Sequence, residues 1–173
     1  LSVVAAKRGN AQDEVAALYT APPEQFVAER NALAKRLGER GDRARAAQVK
    51  KLKKPSLPAW AVNRAASNEP TAARRLLKAG DGLAKAQRGA AGEGGGAGLR
   101  RAMGAHQEAV DGLMAAVSAA LAEAGHDRPA VADRARETLR AVATDDELRT
   151  EFEAGRVVMD REPVGFGSAP APK

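Results

Sequence analysis

The side chains with most to offer a partner lie between Lys35 and Lys54, where nine Lys and Arg stand against two acids, Glu39 and Asp42. Ammonium and guanidinium groups at that density attract phosphate oxygens, and a row of them along one helix face can follow a polyanion backbone. At 100° per residue, Arg43, Ala47, Lys50 and Lys54 fall within about 60° of one another on a helix, with Val49 and Leu52 on the opposite side and Arg45 near them. Lys51 and Lys53 widen the patch. A little further on, Trp60 stands one turn before Asn63 and Arg64, residue types that stack on bases or read base edges. The candidate nucleic-acid-binding set is therefore Arg43, Lys50, Lys51, Lys53, Lys54 and Arg64. Three other readings stand beside it: a merely solvated positive face, an acidic protein as partner, and membrane headgroups. The last is the poorest fit, because few large apolar residues accompany the charges. Base stacking by Trp60 is the alternative to its default role, a core anchor that helps hold the basic helix against the second helix, its indole N–H finding an acceptor. Asn63 would then bond a neighbouring loop backbone, with Arg30 and Asn31 of the second helix as its expected neighbours.

Other chemistries find little support. There is no cysteine, which removes disulfides, thiolate metal sites and cysteine nucleophiles and is compatible with a reducing cytosol. His106 and His126 are the only histidines, and neither is followed by an acid or second histidine at i+3 or i+4. Asp145-Asp146-Glu147 could hold a hard cation, but three acids opening a helix have an adequate electrostatic reason in the helix dipole. Ser2, Ser56, Ser67, Ser118 and Ser168 lie in no nucleophile-elbow context. The glycines of 89–98 lack the spacing of a phosphate-binding loop. The expectation is a protein without catalytic residues, cofactor or metal.

The elements that must position the cations follow from composition. Of 173 residues, 41 are alanine, 27 are leucine or valine, none is isoleucine and five are aromatic. So few β-branched and aromatic residues argue against sheets, and close-packed Ala-rich helices are the natural solution. The expected fold is all-α, a bundle of about seven to eight helices with a long antiparallel αα-hairpin. Asn10 caps a helix over about 11–19, with Val15 and Leu18 inward. The Pro22-Pro23 turn leads to a second helix whose apolar stripe is Phe26, Val27, Leu33, Ala34 and Leu37, left at Gly38 and Gly41. Asp42 caps a third, about 43–53, stopped before Pro55, and Ser56 caps a fourth, about 57–66. Pro70 opens a fifth, about 70–88. Leu99, Met103, His106, Val110, Leu113, Val117 and Ala120 alternate in steps of four and three, a heptad-like seam for the sixth. Asp127 caps a seventh, facing inward with Val131, Ala135, Leu139 and Val142, and Thr144 to Glu147 start a last one ending near Gly155.

The domain expectation is one all-helical unit over 1–160, with a basic region over 27–88 and a flexible glycine-rich loop at 89–98, followed by a loose tail over 161–173. No stretch is long and apolar enough for a membrane span, and Leu1 to Arg8 is too short and wrongly ordered for a signal peptide. A cytoplasmic location is the expectation. The net charge of +6 is uneven: residues 27–88 carry 16 basic and five acidic side chains, while residues 89–173 carry ten and fourteen.

The run from Leu18 to Leu33, the Gly41-Asp42 pair, Pro55-Ser-Leu-Pro-Ala-Trp60-Ala-Val-Asn63, and Phe152 to Arg156 with Gly165-Phe166-Gly167 resemble a family of uncharacterised helical proteins from high-GC actinobacteria. The likeness covers most of the chain and implies a helical fold; it brings no activity. The expected function is non-enzymatic binding of nucleic acid, DNA above all, through backbone phosphates. The alternative is a helical interaction module with an acidic partner.

Overall fold

The computed structural model describes residues 13–89 and 95–162, and every regular element among them is a helix. Helix α1 is residues 13–20, α2 Phe26–Glu39, α3 Arg43–Lys50, α4 Leu57–Asn68, α5 Pro70–Gly89, α6 Gly95–Glu123, α7 Pro129–Ala141 and α8 Asp146–Glu153. Short polar side chains set three of the starts. Asp42 Oδ1 accepts from the Arg45 N–H at 3.0 Å, Ser56 Oγ from Ala59 at 3.3 Å, and Asp145 Oδ1 from Leu148 at 2.9 Å, each satisfying an amide that the first turn leaves open. At α7 the cap is Arg128 rather than Asp127, and no side chain serves it; Pro129 at the first helical position fixes that start instead. The Asn10 cap lies outside the described residues. Gly41 and Gly155 end α2 and α8 at φ +84° and +63°, the left-handed geometry that lets the next amide reach back to Leu37 and Glu151.

Two separate cores result. The larger joins α4 to α8, with Trp60, Val62, Leu76, Val110, Leu113, Val117, Leu121, Leu139, Leu148 and Phe152 among buried alanines. Ala59, Ala61, Ala65, Ala135 and Ala141 are fully enclosed, which is how an alanine-rich chain fills its interior: small side chains bring helix axes together. The smaller core holds Leu18 and Tyr19 of α1, Phe26, Leu33, Ala34 and Leu37 of α2, and Ala46 and Val49 of α3. Val27, expected on the inward stripe of α2, is 46% exposed; the three-turn contact is complete without it.

Among the described helices α5 and α6 share the most extensive contact, and only five residues separate their ends, both of which suit an antiparallel αα-hairpin. The α6 seam is buried from His106 onward, while Leu99 is half-buried and Met103 is 56% exposed. The glycine-rich expectation is corrected in part. Gly89 belongs to α5, and residues 95–98 are helical; residues 90–94 lie outside the described set. Each glycine lowers helix stability by about 1 kcal/mol relative to alanine, a cost that extension of an already nucleated helix can absorb.

Residues 155–162, which follow α8, form no helix, yet they are fastened at many points. We call them the strap. Asn63, buried in α4, holds the Val157 backbone with both ends of its amide, each bond 2.9 Å. Its partner is thus the strap, not Arg30 or Asn31, which bond to each other. Val157 enters the larger core and Val158 packs on the smaller, because successive side chains of an extended backbone point to opposite sides. The Ser56 N–H donates to Val158 O at 2.8 Å, the Asp160 N–H to Ser56 Oγ at 3.2 Å, and the Arg161 N–H to Thr138 Oγ1 at 3.1 Å. The Arg161 guanidinium meets Asp145 at 2.7 Å, Glu147 at 3.2 Å and Glu151 at 3.5 Å, so the first residue assigned to the loose tail is tied to α8. No described helix is long and apolar enough to cross a membrane.

Candidate nucleic-acid interface

The cationic helix is shorter than its charge pattern suggests. α3 stops at Lys50 with Lys51 as its C-terminal cap. Two forces end it there. The residue before Pro55 must leave helical geometry, and Arg30 Nη1 of α2 donates to Leu52 O at 3.0 Å, holding the departing backbone against α2. Lys54 therefore does not share the helical face of Arg43 and Lys50. Lys51, Lys53 and Lys54 are exposed on the connection to α4 instead.

Arg43 and Lys50 do come together, and the structure adds Lys35 of α2, which the sequence-based set omits. The three line an open groove of about 680 Å³ between α2 and α3, with Asn31 at its edge and Ala34, Gly38, Ala46 and Ala47 forming its sides and floor. The floor is shallow because its side chains carry at most one carbon, so long cationic arms rise above it from both helices. Among the described residues no carboxylate pairs with Arg43, Lys50, Lys51, Lys53 or Lys54. Lys35 reaches Glu39 at 3.9 Å with both side chains largely exposed, a contact worth little in water. Arg45 turns to the other side of α3, where it is half-buried beside Asp13, Gln48 and Arg156.

Two of the nominated residue types are occupied elsewhere. Arg64 is half-buried and its Nη1 donates to Thr20 O at 3.4 Å. Trp60 is 4% exposed and its indole N–H donates to Ala21 O at 2.7 Å. Both therefore satisfy carbonyls left open at the end of α1, and Trp60 has no free ring face for a base. It anchors the core as its default reading expects, with one correction: it does not hold α3 against α2. It belongs to the larger core, and the contact of α3 with α2 rests on Phe26, Leu33 and Val49 instead.

Elsewhere two carboxylates have structural partners and one buried histidine does not. His126 Nε2 lies 3.1 Å from Glu24 Oε1, and this bond, helped by the charge of Lys54, holds the Glu24 carboxyl below its ordinary value. His106 is buried on the α6 seam with Nε2 unpartnered; burial first, and the charge of Arg140 second, lower its pKa and favour the neutral ring. Burial raises the Asp145 carboxyl, but the Leu148 N–H and Arg161 outweigh it and leave it below the ordinary carboxylate value. The Asp145-Asp146-Glu147 cluster thus already has a cation in Arg161. Among the described residues no group of three or more His, Cys, Asp or Glu is placed to hold a metal ion. Comparison of the chain with protein-family models, curated proteins and solved structures gave no match.

Proposed function

We propose that the α2–α3 face binds nucleic acid, DNA foremost, through backbone phosphates and without reading sequence. The observation that carries this is how little carboxylate its cations meet among the described residues: Arg43 and Lys50 rim one groove unpaired, Lys35 joins them with only an exposed 3.9 Å contact to Glu39, and Lys51, Lys53 and Lys54 continue the positive surface beside it. Cations kept free of carboxylates are ready to displace the counterions of a phosphate backbone, which supplies most of non-specific binding. Base readout has no support at this face, since Trp60 and Arg64 are turned inward and the groove floor is alanine and glycine. A non-enzymatic role in the cytoplasm goes with this reading.

Binding to labelled duplex DNA, measured across salt concentrations, tests it. The Lys35→Gln/Arg43→Gln/Lys50→Gln variant should bind unrelated sequences more weakly to a similar degree. The slope of log affinity against log salt should fall by roughly 0.9 for each lost phosphate contact. Unchanged affinity and slope in the folded variant would overturn the assignment. Binding to a polyglutamate peptide in place of DNA would favour an acidic protein partner.

A further inference from the structure

A second cationic surface lies on α5, apart from the face just described. At 100° per residue, Arg74, Lys78, Lys85 and Arg88 fall within about 80° of one another, on the side opposite the buried Leu76 and Leu83. All four are exposed. At 1.5 Å per residue they form a straight row about 21 Å long, the length of roughly six base-pair steps at 3.4 Å each. A helix surface facing only water would normally set acids three or four residues from its cations. Here the one acid on the row is Asp81, and Arg149 of α8 reaches across to it at 3.0 Å. Beside the far end of the row, Arg101 of α6 shares a cleft with Lys85.

We propose that the outer face of α5 is a second polyanion-binding surface, so that one chain holds two segments of nucleic acid at once. The identity of the polyanion rests on the reading of the α2–α3 face; the existence of the second surface does not. The two surfaces belong to different packing units, α5 to the larger core and α2–α3 to the smaller, and neither α2 nor α3 packs extensively on α5. Each surface is therefore built without the other, which a two-segment arrangement requires.

The test uses a duplex tethered to beads, a second fluorescent duplex free in solution, and the full chain. Wild type should capture the free duplex. The Arg74→Gln/Lys78→Gln/Lys85→Gln/Arg88→Gln variant keeps good helix formers at each position. It should lose capture by tenfold or more while still binding a single duplex through the α2–α3 face, with the salt slope of that binding unchanged. Capture equal to wild type in that variant, with its circular dichroism unchanged, overturns the second surface. Binding without capture by wild type overturns the two-segment arrangement. The α2–α3 variant reports separately. If it binds and captures like wild type while the α5 variant does not, the reading of α2–α3 falls and that of α5 survives; the reverse pattern sinks α5 alone.

Discussion

Arg134, Arg136, Arg140, Arg149 and Arg161, in α7, α8 and the strap, each contact a carboxylate, whereas Arg43, Lys50, Lys51, Lys53 and Lys54 of the α3 region contact none that is described. The two groups carry the same charge in different circumstances. In the C-terminal half, fourteen acids accompany ten bases, and the helix ends bring the two together, as where Arg161 closes over Asp145, Glu147 and Glu151. Of the three acids at α2 and α3, Asp42 caps a helix, Glu39 lies beside Lys35, and Glu29 sits in the first turn of α2, where the helix dipole favours an acid. Net charge alone would rank both regions by their arithmetic. Pairing separates a charge that helps hold the fold from one that is free for a partner.

That contrast can be broken by substitution. The largest expected effect comes from Trp60, which spans the two regions by packing in the larger core and bonding to the end of α1. Trp60→Ala should cost about 3–5 kcal/mol, the range for emptying a buried aromatic site, and thermal unfolding reads it directly. An unchanged melting temperature would mean that the two regions are held together by something else.

A smaller loss is expected at Arg161, whose side chain is 28% exposed. Arg161→Ala should remove about 1–2 kcal/mol, given charge-assisted bonds tempered by partial exposure to water. Acid should erase the difference. The folded Asp145 carboxyl titrates below its ordinary 3.8, so its contribution is present above that value and disappears as the pH falls through the folded pKa. Urea titrations of both proteins between pH 7 and pH 3 measure the convergence; a gap that stays constant would remove Asp145 from the account.

The smallest effect sharpens the contrast most. Arg43→Gln/Lys50→Gln should change stability by no more than about 0.5 kcal/mol, as for surface positions without special contacts, even while nucleic-acid affinity drops. A substantial loss of stability in that double variant would show that these cations also hold the fold.

Much of this was legible in the chain because the signals were local. The Asp42 cap, the Ser56 cap with Pro58 after it, the start of the last helix within Thr144 to Glu147, and the seam from His106 to Ala120 each lie within a few turns, and the helices formed there. The end of α3 was harder. Pro55 marks the outer limit of the helix, but the earlier stop at Lys50 depends on Arg30, twenty-two positions from the Leu52 carbonyl it binds. Lys35 was counted among the cations yet not placed in the groove, because a face shared between two helices appears only when their packing is known. The partner of Asn63 was out of reach for the same reason, being ninety-four positions away. Arg161 stood in a region rich in Gly, Pro and Ala, where composition signals a tail and gives no hint of three carboxylates on α8.

The separation between Asn63 and Val157 also has a consequence in time. The two are 94 residues apart, and ribosomes add about 5–20 residues per second. Asn63 consequently precedes its partner by roughly 5–19 s at those rates. During that interval the α1–α4 portion of a nascent chain has its amide hydrated and both cores open along the line the strap will occupy. Closure comes only with α8 and the strap, in one late event that seats Val157 and Val158 in different cores together. A chain released before residue 157 would therefore carry its basic α2–α3 surface complete and its interior unsealed.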